Sequence, residues 1–146
     1  IEYGIESTDD ARLRMLNRGH TFAQTRSAIE RTSERGIFTA GHVILGLPGE
    51  SEASLLEEAA ILSALPVDIL KLHQLQIVKD TPLAATYRRH PEKFKFLFDT
   101  PEAYAQVVCR FLQRLRPYIV LERFTSQCPP DLLLAPRWGM KNYEFV

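Results

Sequence analysis

The chain is 146 residues long, 45% apolar and 25% charged, and its 18 basic and 18 acidic side chains leave a formal net charge of zero. One domain of this size buries roughly two-thirds of its unfolded surface. The even charge balance gives no sign of the large basic surface of a nucleic-acid binder, although it leaves a local patch open. No stretch approaches the ~18 uninterrupted apolar residues of a membrane helix, and no signal-peptide pattern is seen at the start. Cys109 and Cys128 fit no metal or redox spacing, which favours two reduced thiols and a cytoplasmic setting.

In chain order, residues 1–6 read as a strand, and the run from Ser7 to Asp10 offers N-caps for a short helix with Ala11, Met15 and Leu16 on one face. Asn17-Arg18-Gly19-His20 breaks it. Thr21 with Gln24 predicts a capping box, opening a second helix that Gly36 ends. A strand over about 38–45 and a helix over about 51–64 follow, then a strand within 67–77 and a short helix from Thr81-Pro82 that Pro91 interrupts. Thr100-Pro101-Glu102 caps a helix whose Tyr104, Val107, Val108, Phe111, Leu112 and Leu115 make one apolar stripe. Pro117 ends it, 118–121 reads as a fourth strand, and the proline-rich tail with Trp138 and Tyr143 reads as a surface-packing extension. The chain opens within a strand-like run, without an initiator methionine, which is the expectation for a piece whose upstream part lies outside it.

The most informative stretch is G-H-V-I-L-G-L-P-G-E, from Gly41 to Glu50. Val43, Ile44 and Leu45 predict a parallel strand buried on both faces. Gly46, Pro48 and Gly49 stop it, and Ser51 caps a helix carrying Leu55, Leu56, Ala59, Ala60, Leu62 and Ala64. A strand, tight loop and helix in that order put the loop at the C-terminal edge of the sheet, where α/β proteins bind ligands. The loop lacks the lysine and hydroxyl of a phosphate loop. Strands separated by helices predict an α/β fold with right-handed parallel crossovers. Four strands make half of a closed barrel.

Three segments carry a family likeness: E-Y-G-I-E-S at 2–7, L-N-R-G-H at 16–20 and I-L-G-L-P-G-E at 44–50. They resemble the C-terminal half of a radical S-adenosylmethionine (SAM) barrel, in the branch with the catalytic Elongator subunit and oxygen-independent coproporphyrinogen oxidase. K-L-H-Q-L-Q-I-V-K-D-T-P-L at 71–83 and A-P-R-W-G-M-K at 135–141 are similar to an uncharacterised bacterial Fe–S oxidoreductase group within it. The resemblance implies a partial TIM-like barrel over 1–125, an extension over 126–146, and a cluster-binding N-terminal half outside this chain. It implies SAM and a [4Fe–4S] cluster in the full-length protein, which together yield a 5′-deoxyadenosyl radical. The cluster loop C-x-x-x-C-x-x-C does not occur in this sequence, so the chain alone is expected to be inactive.

By the same resemblance, Glu6 faces the cofactor at the end of the first strand, and Arg18 binds the methionine carboxylate, which a two-pronged guanidinium suits. His42 meets the ribose hydroxyls, Ile44 and the Gly46–Glu50 loop border the adenine, and Gln74 extends the cofactor wall. Gln76 and Lys79 face substrate. Each has a plainer reading beside it: a capping carboxylate, a solvated turn arginine, a satisfied core histidine, an ordinary turn, and amides on a wet strand face. Gln74 and Gln76 are expected on one face, and Leu75 and Ile77 on the other. His20 reads as a turn residue. The substrate (tRNA, tetrapyrrole or protein) stays open, and a small α/β binding or interaction module without redox chemistry is the alternative. No membrane partner is expected, while the open first strand predicts self-association of the isolated chain as a homodimer.

Overall fold

The computed structural model describes residues 1–94 and 100–145, so Val146, the end of the expected extension, lies outside the described residues. Four parallel strands form the main sheet in the order β1 (Glu2–Glu6), β2 (Ala40–Leu45), β3 (Ile69–Gln74) and β5 (Val120–Arg123). Between them run α1 (Asp10–Met15), α2 (Phe22–Ser33), α3 (Glu52–Ala64), α4 (Pro82–Arg89), a 3₁₀ turn (Pro91–Phe94) and α5 (Pro101–Leu112). Both α2 and α3 begin with reciprocal capping boxes, Thr21 with Gln24 and Ser51 with Ser54, satisfying first-turn N–H groups that water would otherwise have to meet.

The helices cover one face of the sheet. Ile5, Val43, Leu45, Leu70 and Leu72 project into a core with Leu13, Ile29, Leu55, Leu62, Tyr104, Val107 and Phe111. Gly41 lies in this layer because a β-carbon there would stand 2.5 Å from Ile5 Cδ1. The expectation that β2 is buried on both faces is therefore corrected. Its burial alternates, with Val43 and Leu45 in the core and His42 and Ile44 half-buried on the other face, because helices pack on one side only. That second face carries Glu2, Gly4, His42, Ile44, Lys71 and His73, which the registers Gly4 to His42, His42 to Lys71 and Ile44 to His73 bring side by side.

Other differences are local. In α1 the buried residue is Leu13, with Ala11 and Met15 exposed, because a six-residue helix has room for one inward position. In α3, Glu58 takes an inward position, while Ala60 and Ala64 face solvent. The last parallel strand starts at Val120, leaving Tyr118 exposed before it. The third strand stops at Gln74, and a separate β4 (Ile77–Val78) pairs antiparallel with β6 (Leu133–Ala135) of the tail. Leu47, Leu75, Ile77, Ala84, Phe94 and Ala135 form a second small core there. The tail thus completes a two-stranded sheet, and α6 (Asn142–Phe145) follows it. Its anchors are Trp138 and Phe145, which pack on Tyr104, whereas Tyr143 is exposed. Among the described residues no helix is long and apolar enough to cross a membrane.

Candidate functional site

The site grows from an irregularity at the end of β1. Gly4 pairs with His42, but the next pairing is Glu6 with Val43, so β1 carries one extra residue there. Such a bulge re-aims side chains at a sheet's end. Glu6 has a φ of 61°, a left-handed conformation that costs a non-glycine residue energy and that structures tend to retain where function needs it. Its carboxylate meets Arg18, with Nη2 3.4 Å from Oε1, and the same nitrogen lies 3.4 Å from the Gly4 carbonyl. A β-carbon on Gly4 would come within 2.5 Å of Arg18 Nη2 and 2.7 Å of Glu6 Oε1. Glycine is what lets the pair lie across the strand.

Arg18 is set in place by the end of α1. Asn17 takes a left-handed conformation (φ 54°), its N–H bonds to the Arg14 carbonyl, and Arg18 N–H bonds to the Leu13 carbonyl. This is a Schellman closure with asparagine in the position glycine usually fills. It fixes the backbone from which the guanidinium reaches back over β1.

Beside Glu6 opens a cleft of about 290 Å³, walled by His42, Ile44, His73, Gln74, Gln76 and Ser126 among others. Arg18 does not line it but pairs with Glu6, which does. Both ring nitrogens of His42 have protein partners: Nε2 is 2.9 Å from Glu2 Oε2 and Nδ1 is 3.0 Å from His73 Nε2. A ribose hydroxyl would have to compete with one of them. Gln74 and Gln76 both donate through Nε2 to the Ser126 carbonyl, at 3.0 and 3.2 Å, and Ser126 N–H donates back to Gln74 Oε1. Gln74 is thus bonded at both ends of its amide and Gln76 through its NH2, which offsets the desolvation cost of burying them. Gln74 continues the core-side series of Leu70 and Leu72 to the strand's last position, and the chain's departure from the sheet brings both glutamines to one wall. Lys79 stands apart, with its ammonium on the Asp131 carbonyl.

The glycine-proline loop is closed from below by an acid. Glu50 Oε2 accepts from Gly46 N–H at 2.7 Å and Leu47 N–H at 3.0 Å, so these two donors are not offered to a ligand. Its other oxygen is buried 3.8 Å from Arg12 Nε without a hydrogen-bond partner. Glu58 of α3 accepts from Thr8 N–H at 2.6 Å, bracing the loop after β1 in the same way. Burial pushes both carboxyls up, Glu50 to about 8 with Glu58's charge adding to it, and Glu58 to about 7. On the open face the opposite holds. Lys71, 2.6 Å from Glu2 Oε1 and 2.9 Å from Glu122 Oε1, together with His42, holds Glu2 down at about 2.

Of the residues expected from the sequence, Glu6, His42, Ile44, Gln74 and Gln76 share the cleft. Gly46 and Lys79 do not line it. His20 is a turn residue whose Nδ1 meets the Thr25 hydroxyl at 3.1 Å. Sequence reasoning missed Glu2, Ser126 and the Glu50–Glu58 pair. The period-two series Glu2, Gly4, Glu6 held the signal for the first. Ser126 gives none, because only the tail's return places it.

Profiles of known families match along nearly the whole chain: the radical SAM superfamily over residues 1–61 and the radical SAM C-terminal domain over 67–146. An uncharacterized protein of Methanocaldococcus jannaschii is 37% identical over 147 aligned positions, covering 100% of this chain and 44% of that protein. The uncharacterized YtqA of Bacillus subtilis is 29% identical, again over 100% of this chain and 44% of its own length. The chain thus spans less than half of these relatives. The archaeal Elp3 of Methanocaldococcus infernus superposes with a TM-score of 0.79 at 20% identity, covering 91% of this chain and 31% of that one, a likeness of fold. Parallel strands, outer helices and a polar inner face agree with the half-barrel expected from the sequence, and with the C-terminal domain match covering more than half its residues, the chain belongs to the radical SAM superfamily.

Proposed function

We propose that this chain forms the SAM-holding side of a radical SAM enzyme, with the amino-acid end of the cofactor on the Glu6–Arg18 pair. The carrying observation is that pair itself: opposite charges held across Gly4 at the bulged end of β1, next to a cleft. The donor set suits the ligand. The guanidinium can pair a methionine carboxylate through its remaining N–H groups, and the Glu6 carboxylate can accept from the α-ammonium. Ile44 supplies an apolar wall for adenine and Gln74 a braced flank, while the Gly46 loop borders the adenine from outside the cleft's own walls. Gln76 lies on the wall toward the tail, and Lys79 would meet substrate only by leaving Asp131. SAM, once bound, supplies the hydrogen-abstracting chemistry of the family.

The cluster does not fit here. The sequence lacks C-x-x-x-C-x-x-C, and among the described residues no group of three or more His, Cys, Asp or Glu side chains could hold a metal. In this reading the cluster is bound by another part of the intact protein, and this chain alone is inactive. Family membership favours this reading over a module without redox chemistry.

Gly4→Ala tests it. The backbone of Gly4 is not in the left-handed region, so alanine fits the strand while its methyl displaces the guanidinium. Calorimetry of SAM on the intact protein is expected to show affinity falling about tenfold, the effect of losing one charge-assisted contact of roughly 1.4 kcal/mol. Unchanged affinity with the guanidinium displaced would overturn the assignment.

A further inference from the structure

The inner face of the sheet carries polar groups that the cofactor seat does not use. Glu2, His42, His73 and Ser126, from β1, β2, β3 and the segment after β5, are joined by three hydrogen bonds in series. Glu2 Oε2 to His42 Nε2 is 2.9 Å, His42 Nδ1 to His73 Nε2 is 3.0 Å, and His73 Nδ1 to Ser126 Oγ is 2.5 Å. The two rings lie 11° from parallel with centroids 5.2 Å apart. Each imidazole spends both nitrogens within the chain, one toward the carboxylate and one toward the hydroxyl. The far end is open: Ser126 is half-buried and lines both the cleft and a larger cavity of about 400 Å³ beneath the tail, walled on its other side by Cys128, Arg137, Trp138 and Lys141.

We propose that Glu2, His42, His73 and Ser126 form a proton relay that exchanges a proton with a substrate group held against Ser126 in the larger cavity. In the delivering direction an imidazolium on His42 passes its Nδ1 proton to His73 Nε2. The proton on His73 Nδ1 moves to Ser126 Oγ, and the original hydroxyl proton goes to a basic atom of the substrate. Three N–H or O–H bonds break and three form. His42 ends neutral with its remaining proton on Nε2, and the His73 proton has changed nitrogens. Uptake from the substrate runs the same steps backwards, with no electron transferred and no co-reactant.

The charges around the chain suit these roles. Glu2 is the counter-charge for an imidazolium on His42, the part a buried aspartate plays behind a catalytic histidine. Lys71 on β3, itself paired with Glu122 of β5, keeps that carboxylate ionised. Burial first, then the charges of His42, Arg123 and Lys71, push His73 down to about 4, so it conducts a proton and does not store one. Glu6, the other titratable group in the cleft, is engaged by Arg18.

The test is nitrogen NMR of the intact protein with ¹⁵N-labelled histidine, read without SAM, so that failure of the cofactor assignment leaves it unaffected. Between pH 8 and 5 the His73 ring is expected to stay neutral while its proton shifts from Nε2 to Nδ1 as the pair is loaded. Ser126→Ala removes the acceptor of that second position, and the shift of tautomer is expected to be lost. His42→Gln removes a positive neighbour and is expected to raise the His73 midpoint by about half a pH unit or more. A His73 ring that keeps one tautomer throughout, or that titrates identically with and without His42, would overturn the relay.

Discussion

Arg18→Ala in the intact protein is expected to weaken SAM binding roughly ten- to a hundred-fold, the 1.5–3 kcal/mol range of a lost charge-assisted hydrogen bond. The effect should exceed that of a typical surface arginine because Arg18 is not a free side chain. The Schellman turn after α1 fixes its backbone, and the Gly4 carbonyl and Glu6 aim its guanidinium. A ligand carboxylate would therefore meet a group whose position is already set, and less rotamer entropy would be lost on binding. Arg18→Lys should recover little, since a point charge cannot reproduce the two-pronged geometry. Stability should change little, because the Glu6 ion pair is half-exposed at the arginine and such pairs contribute at most about 1 kcal/mol. Calorimetry with SAM, alongside urea unfolding of the same variants, separates the two effects. Equal affinity in all three proteins would remove Arg18 from the seat.

The second large effect concerns stability against pH. Burial pushes the Glu50 carboxyl up to about 8 and the Glu58 carboxyl to about 7, against 4.5 for a free glutamate. A folded-state pKa above the unfolded one means that the folded protein keeps protons the unfolded chain releases. The stability linked to these groups is fully present below about pH 4.5 and is lost as pH rises through 7 and 8. His73, shifted down to about 4 from 6.5, acts with the opposite sign, and its contribution is complete above pH 6.5. Between 6.5 and 8 the contribution of His73 therefore no longer opposes that of the two acids. Stability is expected to fall across it by on the order of 2–3 kcal/mol. Glu50→Gln should flatten most of that slope and Glu58→Gln a smaller part. Urea midpoints at pH 6.5 and 8 check this, and a parent profile as flat as that of the variants would contradict it.

The fold was legible wherever a helix or strand wrote its own periodicity. The stripe from Tyr104 to Phe111, the capping boxes at Thr21 and Ser51, and the apolar run ending at Gly46 all led to the observed elements. Legibility failed where one element's state depends on another. Ile44 looked like core from its neighbours, yet the uncovered side of the sheet leaves it half-buried. The inward place of Glu58 has no signal in the sequence, because nothing in α3 reveals that the Thr8 N–H stands opposite it. The pairing of Ile77–Val78 with Leu133–Ala135 is a long-range contact between segments too short to show a period of two. At the site, family likeness supplied Glu6 and Arg18. The bulge at Gly4 that makes them a pair, and the histidine chain to Ser126, emerge only when four strands are aligned.

In the proposed seat, the Glu6–Arg18 pair receives the amino-acid end of SAM. 5′-Methylthioadenosine keeps the nucleoside and the sulfur but lacks that end, so comparing the two ligands isolates it. Calorimetry on the intact protein should show a preference for SAM that narrows roughly ten- to a hundred-fold in Arg18→Ala and about tenfold in Gly4→Ala, while affinity for methylthioadenosine stays the same. A preference for SAM that survives unchanged in both variants would show that the amino-acid end is held elsewhere.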